Sequence, residues 1–264
     1  MRIALALGLL LASSLTPSRG AAQSCHGSRD LPLDGEGLGV RVASSVGAYD
    51  TAGVSGQYGG LQVGVWGRSR FVEGEASLGG YFLADMGQGW WGLGDTIIAA
   101  RARLFADPEP LELALGARLS VPTARTNAGL GMGHFMAGPE LRAGHRWRRV
   151  GVSTSVAYMR ALSAADAHAH HHDPGPTPRV DPHGMSELAS ALSVTVRFAE
   201  AWVARAAGVL SLPIDDALGA SRFVVGPGLT WTLGRASLSA DLEVPLLGSP
   251  FLIRATLSLD VLLR

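Results

Sequence analysis

Hydrophobic and polar residues alternate one by one over most of this chain. The last stretch is the plainest. Phe251, Ile253, Ala255, Leu257, Leu259, Val261 and Leu263 share one side of an extended backbone, and Leu252, Arg254, Thr256, Ser258, Asp260, Leu262 and Arg264 share the other. The stretch before it sets Ala236, Leu238, Ala240, Leu242, Val244 and Leu246 against Arg235, Ser237, Ser239, Asp241 and Glu243. A period of two is the side-chain period of a β-strand with one face in an apolar medium. The pattern predicts twelve strands, at 37–48, 54–67, 70–84, 93–105, 110–121, 134–145, 149–161, 187–199, 201–213, 221–233, 235–246 and 251–263. Each is about 10 to 15 residues long, whereas a globular strand has about five or six. A tilted strand crossing a bilayer needs roughly 9–11.

The connections alternate in length. Arg68-Ser69, Ala106–Glu109, Arg146–Arg148, Glu200 and Gly234 are short. Tyr49–Gly53, Asp85–Gly92, Pro122–Gly133, Leu162–Ser186, Ile214–Ala220 and Leu247–Pro250 are longer. Short turns on one rim and long loops on the other define an outer-membrane barrel. The fold expected is therefore all-β: an antiparallel transmembrane β-barrel of about 12 strands over residues 37–264, in the outer membrane of a Gram-negative bacterium, with both termini on the periplasmic, short-turn side. Aromatic residues fall near strand ends, where an amphipathic ring suits a membrane interface. Trp66, Phe71, Phe105, Trp147, Phe198, Trp202 and Trp231 lie near the short turns, and Tyr49, Tyr58, Tyr81, Phe82, Trp90, Trp91, Phe135, Tyr158, Phe223 and Phe251 near the long loops.

Composition sharpens this reading. Charged residues make up only 17 %, against about 25 % in globular proteins, which disfavours the rival soluble sandwich or lipocalin-like barrel and its wetted surface. Every one of the 22 basic residues is Arg, and 22 acids balance them. That balance leaves no electrostatic footprint for nucleic acid. Met1–Arg2, the apolar Ile3–Ala12 and the small residues up to Ala22 have the layout of a secretory signal peptide, 1–22, followed by a periplasmic tail, 23–36. Cys25 is the single cysteine, too few for a disulfide framework. Without leucine three places before it, it reads as an ordinary thiol of that tail.

Gly92-Leu93-Gly94-Asp95 opens a strand continuing to Arg101-Ala102-Arg103-Leu104, and the next strand ends Ser120-Val121-Pro122-Thr123-Ala124. With Gly138-Pro139-Glu140-Leu141 and Gly226-Pro227-Gly228-Leu229, this resembles the outer-membrane channel-like family associated with the meta-pathway of phenol degradation. Members carry a "GLGD" strand start and a strand ending in "LPTG"; here the final glycine of the second motif is replaced by Ala124. The likeness spans about residues 90–232. It implies a channel or transporter for a small solute, hydrophobic or aromatic, and it transfers no particular ligand. The C-terminal Leu262-Leu263-Arg264 lacks the aromatic residue that outer-membrane barrels commonly carry there.

Charges on the polar parity belong to the lumen. They are Glu73, Glu75, Asp95, Arg101, Arg103, Glu112, Arg118, Arg197, Asp241, Glu243, Arg254 and Asp260. They serve either as ion-pair staples filling a modest barrel or as a polar path for solute. The expected partners are outer-membrane lipid and that solute. A second reading is a metal-linked membrane protein. Five of eight histidines lie in the loop 162–186, where His168, His170, His171 and His172 form a run, with His183 beyond. Clustered imidazoles would take zinc, copper or nickel as the only cofactor suggested. Met132, His134 and Met136 share a face on an extended strand and form a weaker set. A third reading is a structural barrel without transport. An enzyme is not expected. No catalytic residue emerges, since no His in the barrel precedes a Ser by two positions, and no Gly-x-Ser-x-Gly occurs.

Overall fold

The computed structural model describes residues 36–51, 54–85, 88–104, 111–124, 130, 134–162, 185–214, 221–248 and 251–263. They form thirteen strands: β1 Gly37–Thr51, β2 Val54–Arg68, β3 Val72–Asp85, β4 Gln88–Leu93, β5 Thr96–Arg103, β6 Leu111–Val121, β7 Met136–Trp147, β8 Val150–Ala161, β9 Ser186–Ala199, β10 Trp202–Pro213, β11 Arg222–Leu233, β12 Ala236–Leu247 and β13 Phe251–Leu262. Sequential neighbours pair antiparallel except β4 and β5, which both pair with β3, and β1 pairs with β13 from Gly39↔Leu262 to Tyr49↔Phe251. That last pairing closes the sheet into a barrel of twelve staves, leaving no sheet edge within it.

The extra strand corrects one expected boundary. Asp85–Gly92 is not a loop. Gln88–Leu93 folds back along Gly80–Asp85 as β4, while β5 pairs with Val72–Ser77 lower on the same strand. The strand expected at 93–105 is thus broken at Gly94-Asp95, and β4 pairs only with β3. Two features hold the break. The Gly94 amide donates to the Gly79 carbonyl at 2.8 Å. The Tyr81 ring lies so close to Gly94 that a Cβ there would sit 2.2 Å from it.

The strands face two media. Leu61, Val63 and Val65 of β2 and Leu257 and Leu259 of β13 point outward, and Leu61 and Leu257 remain 54 % and 58 % exposed. An apolar exterior of this extent needs lipid, not water, around it. Proline fits the wall only where the ladder is interrupted. At Gly138-Pro139 the β7–β8 pairing skips two residues and resumes in register, and at Gly226-Pro227 the β11–β12 pairing does the same. The missing Cβ of each glycine admits a partner carbonyl, Tyr158 O or Leu242 O.

Candidate functional site: a divided lumen

Inward-facing residues divide the lumen by chemistry. On β2, β3, β5, β6 and β7 the inward positions carry Arg68, Glu73, Glu75, Arg101, Arg103, Glu112, Arg118, Glu140 and Arg142, and all but Glu75 are buried. Glu140 accepts Arg101 Nη2 on both carboxylate oxygens at 2.9 Å, and Arg118 Nη2 at 3.0 Å. Arg101 also donates to Glu75 at 2.8 Å and to Glu73 at 3.3 Å, and Arg142 Nη1 reaches Glu73 at 3.4 Å. Arg68 pairs with Glu112 and so links β2 to β6. Guanidinium groups suit this task because a planar, permanently charged fork can donate to several carboxylates at once. Ions this deep are tolerable only when paired and hydrogen-bonded.

The remaining wall is paired two by two. Arg205 meets Asp241, Arg254 meets Glu243 with Nε at 2.7 Å, Arg222 meets Glu187 at 3.2 Å, and Arg41 meets Asp260 at 2.7 Å. Each pair joins adjacent strands or strands one apart, so it lies along the wall. Small inward residues, Ala207 and Val209 among them, leave space in front of it. One cavity of about 110 Å³ is lined by Ala43, Ser45, Tyr58, Gln62, Tyr81, Arg205, Ala207, Val209, Glu243, Arg254 and Thr256. A second, of about 70 Å³, shares Arg205, Ala207, Val209, Glu243 and Arg254 with it and extends to Ser211, Arg222, Pro245 and Phe251. The shared lining makes them parts of one space that runs along β10–β13 and reaches the adjoining β1, β2 and β3.

An aromatic cluster closes the long-connection end of that space. Tyr49, Tyr58, Leu83, Leu130 and Phe251 are buried together, with Tyr81, Trp90 and Ala124 packed on them. Tyr58 stacks on Tyr81 at 5.8 Å between centroids and meets Phe251 at 4.9 Å. These rings correct the expected interface belts. Tyr49, Tyr58, Tyr81, Phe251 and also Trp66, which covers Gly39, turn into the lumen. Phe71, Phe82, Trp91, Trp147, Phe198, Trp202 and Trp231 remain exposed. The two stretches that carry the family resemblance touch here. The Ala124 amide donates to the Asp95 carboxylate at 3.1 Å, and the Thr123 hydroxyl donates to the Gly94 carbonyl at 2.7 Å. Asp95 thereby fastens the β6–β7 connection, from which Leu130 enters the cluster.

Of the sequence-derived lumen set, Glu73, Arg101, Arg103, Glu112, Arg118, Asp241 and Asp260 are buried, and Glu75, Glu243 and Arg254 half-buried. Arg197 keeps the inward parity of β9 but lies exposed beside the β9–β10 turn, away from both groups of ion pairs. Arg41, Arg68, Glu140, Arg142, Glu187, Arg205 and Arg222 were missed. Arg68 lies one residue past an expected strand end, and the other six lie inside expected strands, where the same alternation places them on the inward parity. His134 and Met136 are buried and inward-facing, while Met132, His168, His170, His171, His172 and His183 lie outside the described residues. Among the described residues no three His, Cys, Asp or Glu side chains gather as a metal site.

No family model and no curated protein matches this sequence. Solved structures do. The COG4313 outer membrane channel from Pseudomonas putida F1 superposes with a TM-score of 0.67 at 10 % identity, covering 90 % of this chain and 99 % of that one. The β domain of the Bordetella autotransporter BrkA gives a TM-score of 0.50 at 15 % identity, covering 87 % and 100 %. Identities this low carry the fold alone. Together with the closed sheet and the apolar exterior, they make this chain a Gram-negative outer-membrane β-barrel with a channel-like fold.

Proposed function

We propose that the chain is an outer-membrane channel admitting a small solute along the β10–β13 side of its lumen. The observation that carries this reading is the division of the interior. The network centred on Arg101 and Glu140 fills the β2–β7 side. The space lined by Ala207, Val209, Arg205, Arg254 and Glu243 lies along the other. A barrel held together purely for stability gains nothing from leaving one wall unfilled, because voids cost packing energy. The lining mixes methyl groups and tyrosine rings with a few charges, which suits a solute with an apolar or aromatic body and a polar end. The resemblance carried by Gly92–Asp95 and Ser120–Thr123 favours the same solute class.

Purified protein reconstituted in planar bilayers is expected to give discrete conductance steps. Arg254→Ala and Glu243→Ala, on the open side, are expected to change the step size or ion preference, since lumen substitutions tune selectivity. A folded protein that yields no conductance would return the chain to the structural-barrel reading.

A further inference from the structure

Arg103 stands apart from the other cations of the charge network. Its backbone amide donates to Phe71 O and its Nη1 to Ser69 O, each at 2.7 Å. Among the described residues no carboxylate lies within ion-pair distance, although the residue is buried. Its Nε and Nη2 groups are fully buried and make no hydrogen bond. Arg68, Arg101, Arg118 and Arg142 each meet at least one of Glu73, Glu75, Glu112 and Glu140. Among the described residues five guanidiniums thus face four carboxylates, and the surplus charge is Arg103.

A buried cation without a counterion is costly. The two unused groups are not scattered. Nε–H and Nη2–H form the side-on edge of the guanidinium, two parallel donors spaced for the two oxygens of a carboxylate. Nη1, on the other side, is already committed to Ser69. We propose that this edge is a binding site for a monovalent oxyanion, the carboxylate group of a small solute, at the short-turn end of the lumen. One negative charge balances the surplus, and a planar pair of oxygens matches the fork. A halide supplies the charge without the second contact, and divalent phosphate overshoots the balance. The site lies just beneath the rim, since Ser69, Arg70 and Leu104 around it are exposed. The edge is buried as it stands, so an anion reaches it only through a turn of the Arg103 side chain. The assignment rests on the channel reading for its role in transport, and it gives the solute a carboxylate head.

The test uses the full-length protein in detergent and acetate labelled with carbon-13 as the probe. Line broadening of the acetate signal by the wild type is expected. Inorganic phosphate and chloride are expected to compete poorly. Arg103→Gln should weaken acetate binding about tenfold or more. Arg103→Lys, which keeps the charge and loses the fork, should weaken it nearly as much while preserving the folded, heat-modifiable form. Equal broadening by wild type, R103Q and R103K overturns the proposal. So does acetate binding that appears only in an Asp107→Asn/Glu109→Gln variant, because the chain's own carboxylates would then occupy the edge. Acetate binding without conductance in bilayers leaves the site standing and removes the channel. Conductance without acetate binding does the reverse.

Discussion

Glu140 holds the lumen's charge network together. It takes hydrogen bonds from Arg101 and Arg118, and its own side chain is 1 % exposed. Glu140→Gln keeps the shape and removes the charge, leaving buried Arg118 with only Glu75 at 4.0 Å while Arg101 keeps Glu75 and Glu73. Breaking a buried pair this way costs about 3–5 kcal/mol. The variant is expected to convert from its heat-modifiable form at a clearly lower temperature than wild type, and an unchanged transition counts against the network's role. Glu75→Gln should cost less, because Glu75 is more exposed and Arg101 keeps Glu140 and Glu73. Alternation alone sorts Glu73, Glu75, Arg101, Glu112 and Arg118 onto one parity, since successive side chains on a strand take opposite faces. It does not say which of them meet. Pairings such as Arg68 with Glu112 cross from β2 to β6 and depend on how far the barrel curves. Glu140 lies inside the expected strand 134–145, but next to Gly138-Pro139 it was read as part of a motif and not as a lumen charge.

At the scale of elements, the break between β4 and β5 is the point where sequence reading and structure part. Gly92–Asp95 looks like a strand start, and the residues before it look like a loop. Pairing across the barrel decides otherwise. The upper part of β3 extends beyond its pairing with β5 and recruits Gln88–Leu93 as its own partner. Asp95 at the break serves the next connection, through the Ala124 amide. A hydrogen bond to a buried charged group is worth about 1.5–3 kcal/mol. Asp95→Ala is expected to loosen the β6–β7 connection and make Arg125 a trypsin site in the folded barrel. Asp95→Asn, which keeps an acceptor, should resist trypsin like the wild type. Equal cutting of all three contradicts the latch. Short glycine-rich motifs do not disclose that two of them bind each other, because neither has meaning until the sheet brings Thr96 opposite Val121.

For the molecule as a whole, strand number and closure were legible. Twelve long alternating segments can satisfy their backbones in lipid only as a closed barrel. Orientation follows from the rims. Leu263 N donates to Leu38 O at 2.8 Å, so both ends of the described chain lie with the β7–β8 and β11–β12 turns. With short turns on the periplasmic side, as outer-membrane barrels have them, the β8–β9 connection is expected outside the cell. An epitope inserted at Gly175 is expected to bind antibody on intact cells. Labelling confined to permeabilised cells reverses the topology.

The unequal filling of the barrel also bears on its mechanics. Five neighbouring staves, β2, β3, β5, β6 and β7, are cross-braced from within by arginine forks. The staves from β9 to β13 are held mainly by their ladders and by pairs along the wall. Thermal bending of such a cylinder is not shared evenly. The braced arc is expected to act as a keel and the other arc to take up most of the deformation, so under the channel reading the room for a passing molecule would vary at the wall it touches.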